Sequence, residues 1–407
     1  MNKYQITIGL ALLTWTMGLQ AQSKIAKDLA SMPDGTAGSF IVQYTAKPSS
    51  TDLKAITNAG GKIKRNLGAV NGAVASMTAK GARSLASNSR VKYISPDRSL
   101  RGRDIYTNEA VNATQAQSYG WSGANIGVAV IDSGVSAAAD FGTRVVYSES
   151  FVGGTDDPYG HGTHVAGIIA GDSTTYKGVA PQAKIVSFRV LNDQGAGYDS
   201  DVIAAIDRAI ALKSTHNIRV INLSLGRGVF ESYKLDPLCQ AAERAWQAGI
   251  VVVAAAGNLG RHESTNGYAT IGAPGNDPFV ITVGGMKTMS TVDRGDDQIA
   301  SYSSKGPSLI DHVIKPDLVA PGNVVISVSS AGVSVLDAAI PQNKVGGGHL
   351  ILSGTSMAAP AVSGAVALLL QKTPTLTPNQ VKARLMKTAY KQFPASSTWV
   401  DTATGKS

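Results

Sequence analysis

One cysteine in 407 residues, Cys239, leaves the chain with no intramolecular disulfide. With no histidine motif beside it, this lone thiol reads as a small packed residue rather than a nucleophile. Long apolar runs are equally scarce. Ile6 to Leu19, behind Lys3, is too short to span a bilayer comfortably and reads as a secretory signal cut near Ala21, so that residues 1–22 form a leader; an uncleaved anchor is the alternative. No later stretch rivals it, since Ala361 to Leu370 is short and bounded by Ser363 and Gln371, and no stable membrane span is expected once the leader is gone. Repeats and low-complexity tracts are absent as well. The 43% hydrophobic content suffices for a sizeable core and more than one domain.

The net charge of +9 suggests nucleic acid until it is mapped along the chain. Residues 1–103 hold fifteen Lys and Arg against four Asp and Glu, a balance of +11, whereas residues 104–407 hold twenty-two against twenty-four, or −2. The basicity therefore belongs to the N-terminal quarter, and a nucleic-acid surface on the main body is not supported.

Local patterns divide the chain at the same place. Phe40 to Tyr44 reads as a strand, Ser50 to Ala59 as a helix ended by Gly60-Gly61, Lys62 to Met77 as one or two extended pieces, Thr78 to Ala86 as a second helix and Val91 to Ile94 as a last strand. This β-α-β-β-α-β order is that of a small split βαβ, ferredoxin-like α+β unit. Pro96 to Asn112, polar and rich in Arg, reads as a linker. From Gly127 onward, Val128 to Ile131, Ile185 to Phe188, Val220 to Leu223, Ile250 to Ala254 and Phe279 to Val283 are β-rich runs without strict alternation, as in strands buried on both faces. Helices lie between them, one capped by Asp199 or Ser200, another over Leu238 to Ala248. The pattern predicts an α/β fold, a mostly parallel sheet with helices on both faces and a site at the carboxyl ends of the strands.

Three segments place a reactive side chain beside small residues. Val130-Ile131-Asp132-Ser133-Gly134 puts a carboxylate at the end of a buried strand. Gly160-His161-Gly162-Thr163-His164 puts an imidazole at the opening of a helix, and Ser353-Gly354-Thr355-Ser356-Met357 starts a helix with a serine that runs to about Leu370. A serine hydroxyl needs a base, and the base needs a group that fixes its tautomer; Ser356, His161 and Asp132 supply these types. The helix start under Ser356 adds partial positive charge where an oxyanion would form. Each alone has an ordinary reading, as a cap or a polar turn residue. His164 is a rival base, and a zinc reading of His161 with Asp157 lacks the ligands to complete a set. A lipase or esterase would carry a Gly-x-Ser-x-Gly elbow, which Gly354-Thr355-Ser356-Met357-Ala358 is not.

Together the three motifs resemble the subtilisin-like serine proteases, or subtilases, over roughly Gly120 to Ala389 and in that family's Asp, His, Ser order. The resemblance implies a secreted or periplasmic serine endopeptidase acting on proteins or peptides as a monomer, with Asp132, His161 and Ser356 as its triad. It also implies that the Asn258 side-chain amide and the Ser356 N–H form the oxyanion hole, Asn258 being otherwise a turn residue. Gly195, Ala196 and Gly197 are similar to the edge that pairs with extended substrate, and Ser224, Leu225 and Gly226 to its opposite wall. Ala255, Ala256, Gly257 and Gly272 would surround a roomy, uncharged pocket for the residue before the cut. Met32 to Ser95 resembles the family's inhibitory, folding-assisting propeptide. Residues 23–103 would then be that propeptide with its linker, cut between about Asp97 and Asn112, and residues 104–407 the peptidase. The runner-up is a binding protein that kept the fold without turnover. No cofactor is implied for the chemistry. The stretch from His164 to Gly178 is shorter than the calcium loop of subtilisins, which leaves any structural calcium unlocated; the carboxylates of Asp156-Asp157 and Asp293 to Asp297 are oxygen-rich but read as solvated loops. The chain ends soon after a helix expected over Asn379 to Ala389, short of the terminal segment common in relatives.

Overall fold

In a computed structural model, residues 23–97, 106–330, 334–396 and 398 are described. The chain divides into two compact units, Met1–Arg101 and Gly102–Ser407. The leader and the arginines at 98, 101 and 103 lie outside the described residues.

In the first unit a short helix, α1 (Lys27–Ser31), precedes β1 (Ala37–Tyr44), α2 (Ser50–Asn58), β2 (Lys62–Leu67), β3 (Gly72–Thr78), α3 (Ala79–Ser84) and β4 (Val91–Pro96). The strands form an antiparallel sheet ordered β2-β3-β1-β4, as the split βαβ reading requires. Alternation along β1 buries Phe40, Val42 and Tyr44 against Ile56 of α2 and Ala79 and Ala82 of α3. Ser49 and Asp52 close a reciprocal capping box on α2, and Arg90 pairs with the same buried Asp52.

The second unit opens with α4 (Tyr106–Ala110) and α5 (Ala113–Ser118), so the expected linker stops short of its C-terminal part: Tyr106 and Thr107 are buried, which a free linker would not allow. There follow β5 (Gly127–Asp132), β6 (Val145–Ser150), α6 (His161–Ala170), β7 (Lys184–Arg189), α7 (Asp199–Ala211), α8 (Lys213–His216), β8 (Ile218–Leu223), α9 (Pro237–Gln247), β9 (Val251–Ala255), β10 (Ile281–Lys287), β11 (Gln298–Ile299) and β12 (Leu318–Pro321). A small sheet of β13 (Val325–Val328), β14 (Lys344–Val345) and β15 (His349–Leu352), with α10 (Val335–Ala339) among its connections, leads to α11 (Thr355–Lys372) and α12 (Pro378–Thr388).

The main sheet runs β11-β10-β9-β8-β5-β7-β6, with β12 also beside β10; only the β10–β11 pair is antiparallel. Every residue of β5 and β9 is buried, which is why both read as continuous apolar runs. The chain leaves β5 to one side for β6 and β7 and returns to the other for β8, so the carboxyl end of β5 lies at a switch in strand order. Two expectations shift. The strand expected over Phe279 to Val283 begins at Ile281, because Pro278 lacks an N–H and Phe279 stays 41% exposed. Neither Asp199 nor Ser200 caps α7; Tyr198 holds the cap position without a side-chain bond, because the Asp199 carboxylate is held by Arg227.

Candidate active site

Asp132 ends β5 and is fully buried, with the Ser133 N–H donating to its Oδ1 at 2.8 Å. His161 opens α6 and meets the same Oδ1 through Nδ1 at 2.7 Å. A second buried carboxylate fixes this encounter. Asp157 accepts from the N–H of Gly160 (2.7 Å), the N–H of Thr163 (2.8 Å) and the Ser133 hydroxyl (2.8 Å), while Ser133 Oγ accepts from the Gly162 N–H at 2.9 Å. One side chain thus ties the first turn carrying His161 to the strand end carrying Asp132. Sequence reasoning weighed Asp157 only as a metal ligand; its signal was an acidic residue just before a helix start. Gly160, at φ +97°, turns the chain into the helix, and a Cβ on Gly162 would stand 2.1 Å from the Gly134 carbonyl oxygen. Burial of the His161 imidazole disfavours its cation, but the charge and hydrogen bond of Asp132, aided by Asp157, outweigh this and hold its pKa above the ordinary value.

Ser356 is the second residue of α11. Its hydroxyl donates to the Ser224 carbonyl at 3.0 Å, and Ser224 Oγ donates back to the Ser356 carbonyl at 2.8 Å. The direct bond to His161 that sequence reasoning anticipated is thus not formed. The Ser356 N–H belongs to the first helical turn, whose donors find no partner within the helix. Beside it, Asn258 follows β9, its Oδ1 accepting from the Thr355 N–H (2.9 Å) and hydroxyl (3.1 Å), an arrangement that fixes which amide atom is oxygen and leaves Nδ2 with no partner among the described residues.

The Subtilase family profile matches residues 123–405. Serine protease AprX of Bacillus subtilis is 35% identical over 339 residues, 80% of this chain and 75% of that protein. Subtilisin E of the same organism is 35% identical over 387 residues, 93% and 91%. The chain belongs to the subtilase family. Two solved structures agree in fold: a cold-adapted subtilisin-like serine proteinase (33% identity, TM-score 0.51, 66% of this chain and 83% of that one) and sphericase (32%, 0.54, 65% and 83%). The protein is a serine-type endopeptidase that acts on protein substrates.

In this subtilase Ser356 and His161 lie against one wall, Ser224 to Arg227. On the Ser356 side is a cavity of about 350 Å³ bordered by Ala255, Gly257, Asn258 and Gly272, together with Leu259 and Thr270, which sequence reasoning missed. Ala256 is a correction: its N–H and C=O are bonded to Val283 and Gly272, and its side chain is buried behind the cavity. Arg227 qualifies the expected lack of charge, although its guanidinium is engaged by Asp199 and Asp236. On the His161 side, Gly195, Ala196 and Gly197 line a second cavity of about 390 Å³. The N–H of Gly197 and the backbone groups of Leu225 and Gly226 bond to no described residue, so two lengths of open backbone edge flank the cleft. His164 faces the interior, Nε2 on the Leu350 carbonyl at 2.9 Å, and burial pushes its pKa down to about 3. Burial likewise pushes the Cys239 thiol up, away from nucleophile chemistry.

Apart from Asp156, the carboxylates of Asp156-Asp157 and Asp293 to Asp297 are used internally. Both Asp157 oxygens are taken by donors, Asp297 pairs with Arg294, and Asp296 accepts from the Thr291 hydroxyl. The short turn after α6 is closed by an Asp172–Lys177 bridge, with the Lys177 ammonium 3.7 Å from the Asp172 carboxylate. These sets do not fit a divalent cation, and among the described residues no three His, Cys, Asp or Glu side chains converge as ligands.

Proposed function

We propose that Ser356 is the nucleophile, His161 the general base and Asp132 the carboxylate that orients it. The observation that carries this reading is the 2.7 Å Asp132–His161 bond facing, along one cleft wall, a serine at the start of a long helix. As peptide binds, the Ser356 hydroxyl turns from the Ser224 carbonyl toward Nε2 of His161, an adjustment in keeping with the loose catalytic bonds of unliganded enzymes. Oγ attacks the scissile carbonyl while its proton passes to His161, and the imidazolium is stabilised by Asp132. The oxyanion meets the Ser356 N–H and the Asn258 amide, helped by the positive end of α11. Collapse expels the amine with the proton from His161, and water hydrolyses the acyl-enzyme by the reverse sequence. Substrate adds as a strand between Gly195–Gly197 and Ser224–Gly226, where the Gly197 N–H and the backbone groups of Leu225 and Gly226, unpaired among the described residues, suit it.

The N-terminal unit acts as an inhibitory, folding-assisting propeptide, and the protein is exported and matures by cutting itself between about 97 and 112 into a monomeric enzyme. The independent β-α-β-β-α-β sheet and the +11 charge confined to residues 1–103 support this. The test is to express the full chain and Ser356→Ala side by side. The wild type should be exported, shortened within that window and labelled by a serine-directed phosphonate, and the variant should remain full-length and unlabelled. Undiminished labelling of the variant would refute the nucleophile. Isolated residues 32–103 should inhibit the mature enzyme competitively, and failure both to inhibit and to assist refolding would refute the propeptide.

A further inference from the structure

The cavity beside His161 has a greasy floor and one charged rim. Val202, Leu225 and Leu238 line it together with Leu191, and the paired Asp199 and Arg227 border it as well. The rim is part of a three-member ion network: Arg227 Nη2 lies 2.7 Å from Asp199 Oδ2 and 2.9 Å from Asp236 Oδ1. One guanidinium between two carboxylates leaves a net negative charge. Its distribution is uneven, because the Asp236 side chain is wholly buried while that of Asp199 is 41% exposed. Asp236 Oδ1 is further satisfied by the Leu238 N–H at 3.0 Å, whereas Asp199 Oδ1 has no partner among the described residues and the side chain caps no helix donor. The accessible part of the excess charge therefore faces the cavity through Asp199.

We propose that Asp199 is a specificity-determining residue that makes this cavity select a long basic side chain of the substrate, lysine or arginine, upstream of the cut. The methylenes of such a side chain lie on the apolar floor while its cation reaches the free carboxylate oxygen at the rim, the usual compromise for an amphipathic side chain. Arg227 has no comparable role toward acidic substrates, because both carboxylates hold its guanidinium and raise its pKa. A plain apolar side chain uses the floor and gains nothing from the rim. Arg98, Arg101 and Arg103 supply residues of the selected kind within the stretch where maturation is proposed. The inference rests on the cleft reading above and adds to it the class of substrate side chain.

The experiment uses mature enzyme, titrated with a serine-directed phosphonate, and fluorogenic peptides that differ only by lysine or norleucine at the second, third or fourth position before the cut. At one of these positions lysine should exceed norleucine in kcat/KM by about three- to fivefold at low salt, the scale of one partly exposed ion pair, and the advantage should shrink as sodium chloride is raised. Asp199→Asn should abolish the lysine preference while the norleucine peptide is still cut. Should that variant not fold, the salt dependence of the wild-type ratio decides. Norleucine equal to or better than lysine at all three positions would overturn the inference, as would a preference that survives Asp199→Asn or is indifferent to salt. An enzyme that neither cuts any peptide nor takes up phosphonate would instead refute the cleft reading itself.

Discussion

Gly162→Ala is the sharpest probe of how the site is assembled. The added methyl would lie 2.1 Å from the Gly134 carbonyl oxygen and 3.1 Å from Asp132 Cβ, both part of the strand end that meets α6. A carbon needs about 3.3 Å from an oxygen, so the helix and the strand end must separate by roughly 1 Å. That separation acts on the Asp132–His161 bond, now 2.7 Å, and on the Ser133–Gly162 bond, now 2.9 Å, and would stretch both beyond useful hydrogen-bond range. Misplacement of a catalytic group by about 1 Å costs on the order of 10²-fold, and overpacking of this kind costs about 1–3 kcal/mol of stability. The expected result is a folded enzyme with a lowered Tm and a kcat down about a hundredfold per phosphonate-titrated site, while KM changes little. Gly154→Ala, whose Cβ would meet nothing within 4 Å, is the control and should leave kcat unchanged. Wild-type kcat in Gly162→Ala, or a loss confined to KM, would show that the close approach of α6 to β5 does not govern the chemistry.

Asn258→Ala should lower kcat by about 10²–10³-fold with KM nearly intact, the scale known for removing one oxyanion donor from a subtilisin; a change in KM alone would contradict the role. Asp157→Asn removes a charge that helps hold the His161 pKa up, so the acid limb of the kcat/KM profile should move to lower pH; a limb that stays put or moves up would remove Asp157 from the electrostatics of the site. Lys315, whose ammonium bonds the Asp317 carboxylate and the Val280 carbonyl at 2.8 Å each, is pushed down by burial to about 8, against an ordinary lysine value of 10.5. Between these values the unfolded chain binds more protons than the folded one, so the group's contribution to stability rises with pH across that window. Urea unfolding of wild type and Lys315→Met at about pH 7.5 and about pH 10 should show the difference in stability growing in favour of the wild type, and a constant or shrinking difference would be the contrary result.

How much of this was legible along the chain depended on the range of the signal. Val128 to Ile131 announced β5 because a strand buried on both faces is a continuous apolar run, and the starts of α6 and α11 were marked by small residues around His161 and Ser356. By contrast β6, half-buried at the sheet edge except for exposed Ser148, carries no clean period, and β12 is only four residues long. Ala256 is the same residue type as Ala255, yet only Ala255 borders the cavity, because pairing with Val283 and Gly272 holds Ala256 behind it.

Fold class and the extent of the basic N-terminal quarter were legible along the chain, because strand runs, helix starts and the run of charges are local properties. Packing of distant segments set which of two neighbouring histidines meets Asp132, that Asp157 clamps both partners of that pair, and that the Ser356 hydroxyl rests on Ser224. It also set Asp199 at the cavity beside His161, paired with Arg227 instead of capping α7. The physical reason is separation along the chain: these bonds join residues 29, 132 and 28 positions apart at His161–Asp132, Ser356–Ser224 and Arg227–Asp199. No local propensity specifies such partners; they are chosen when the strand ends and helix starts are packed against one another.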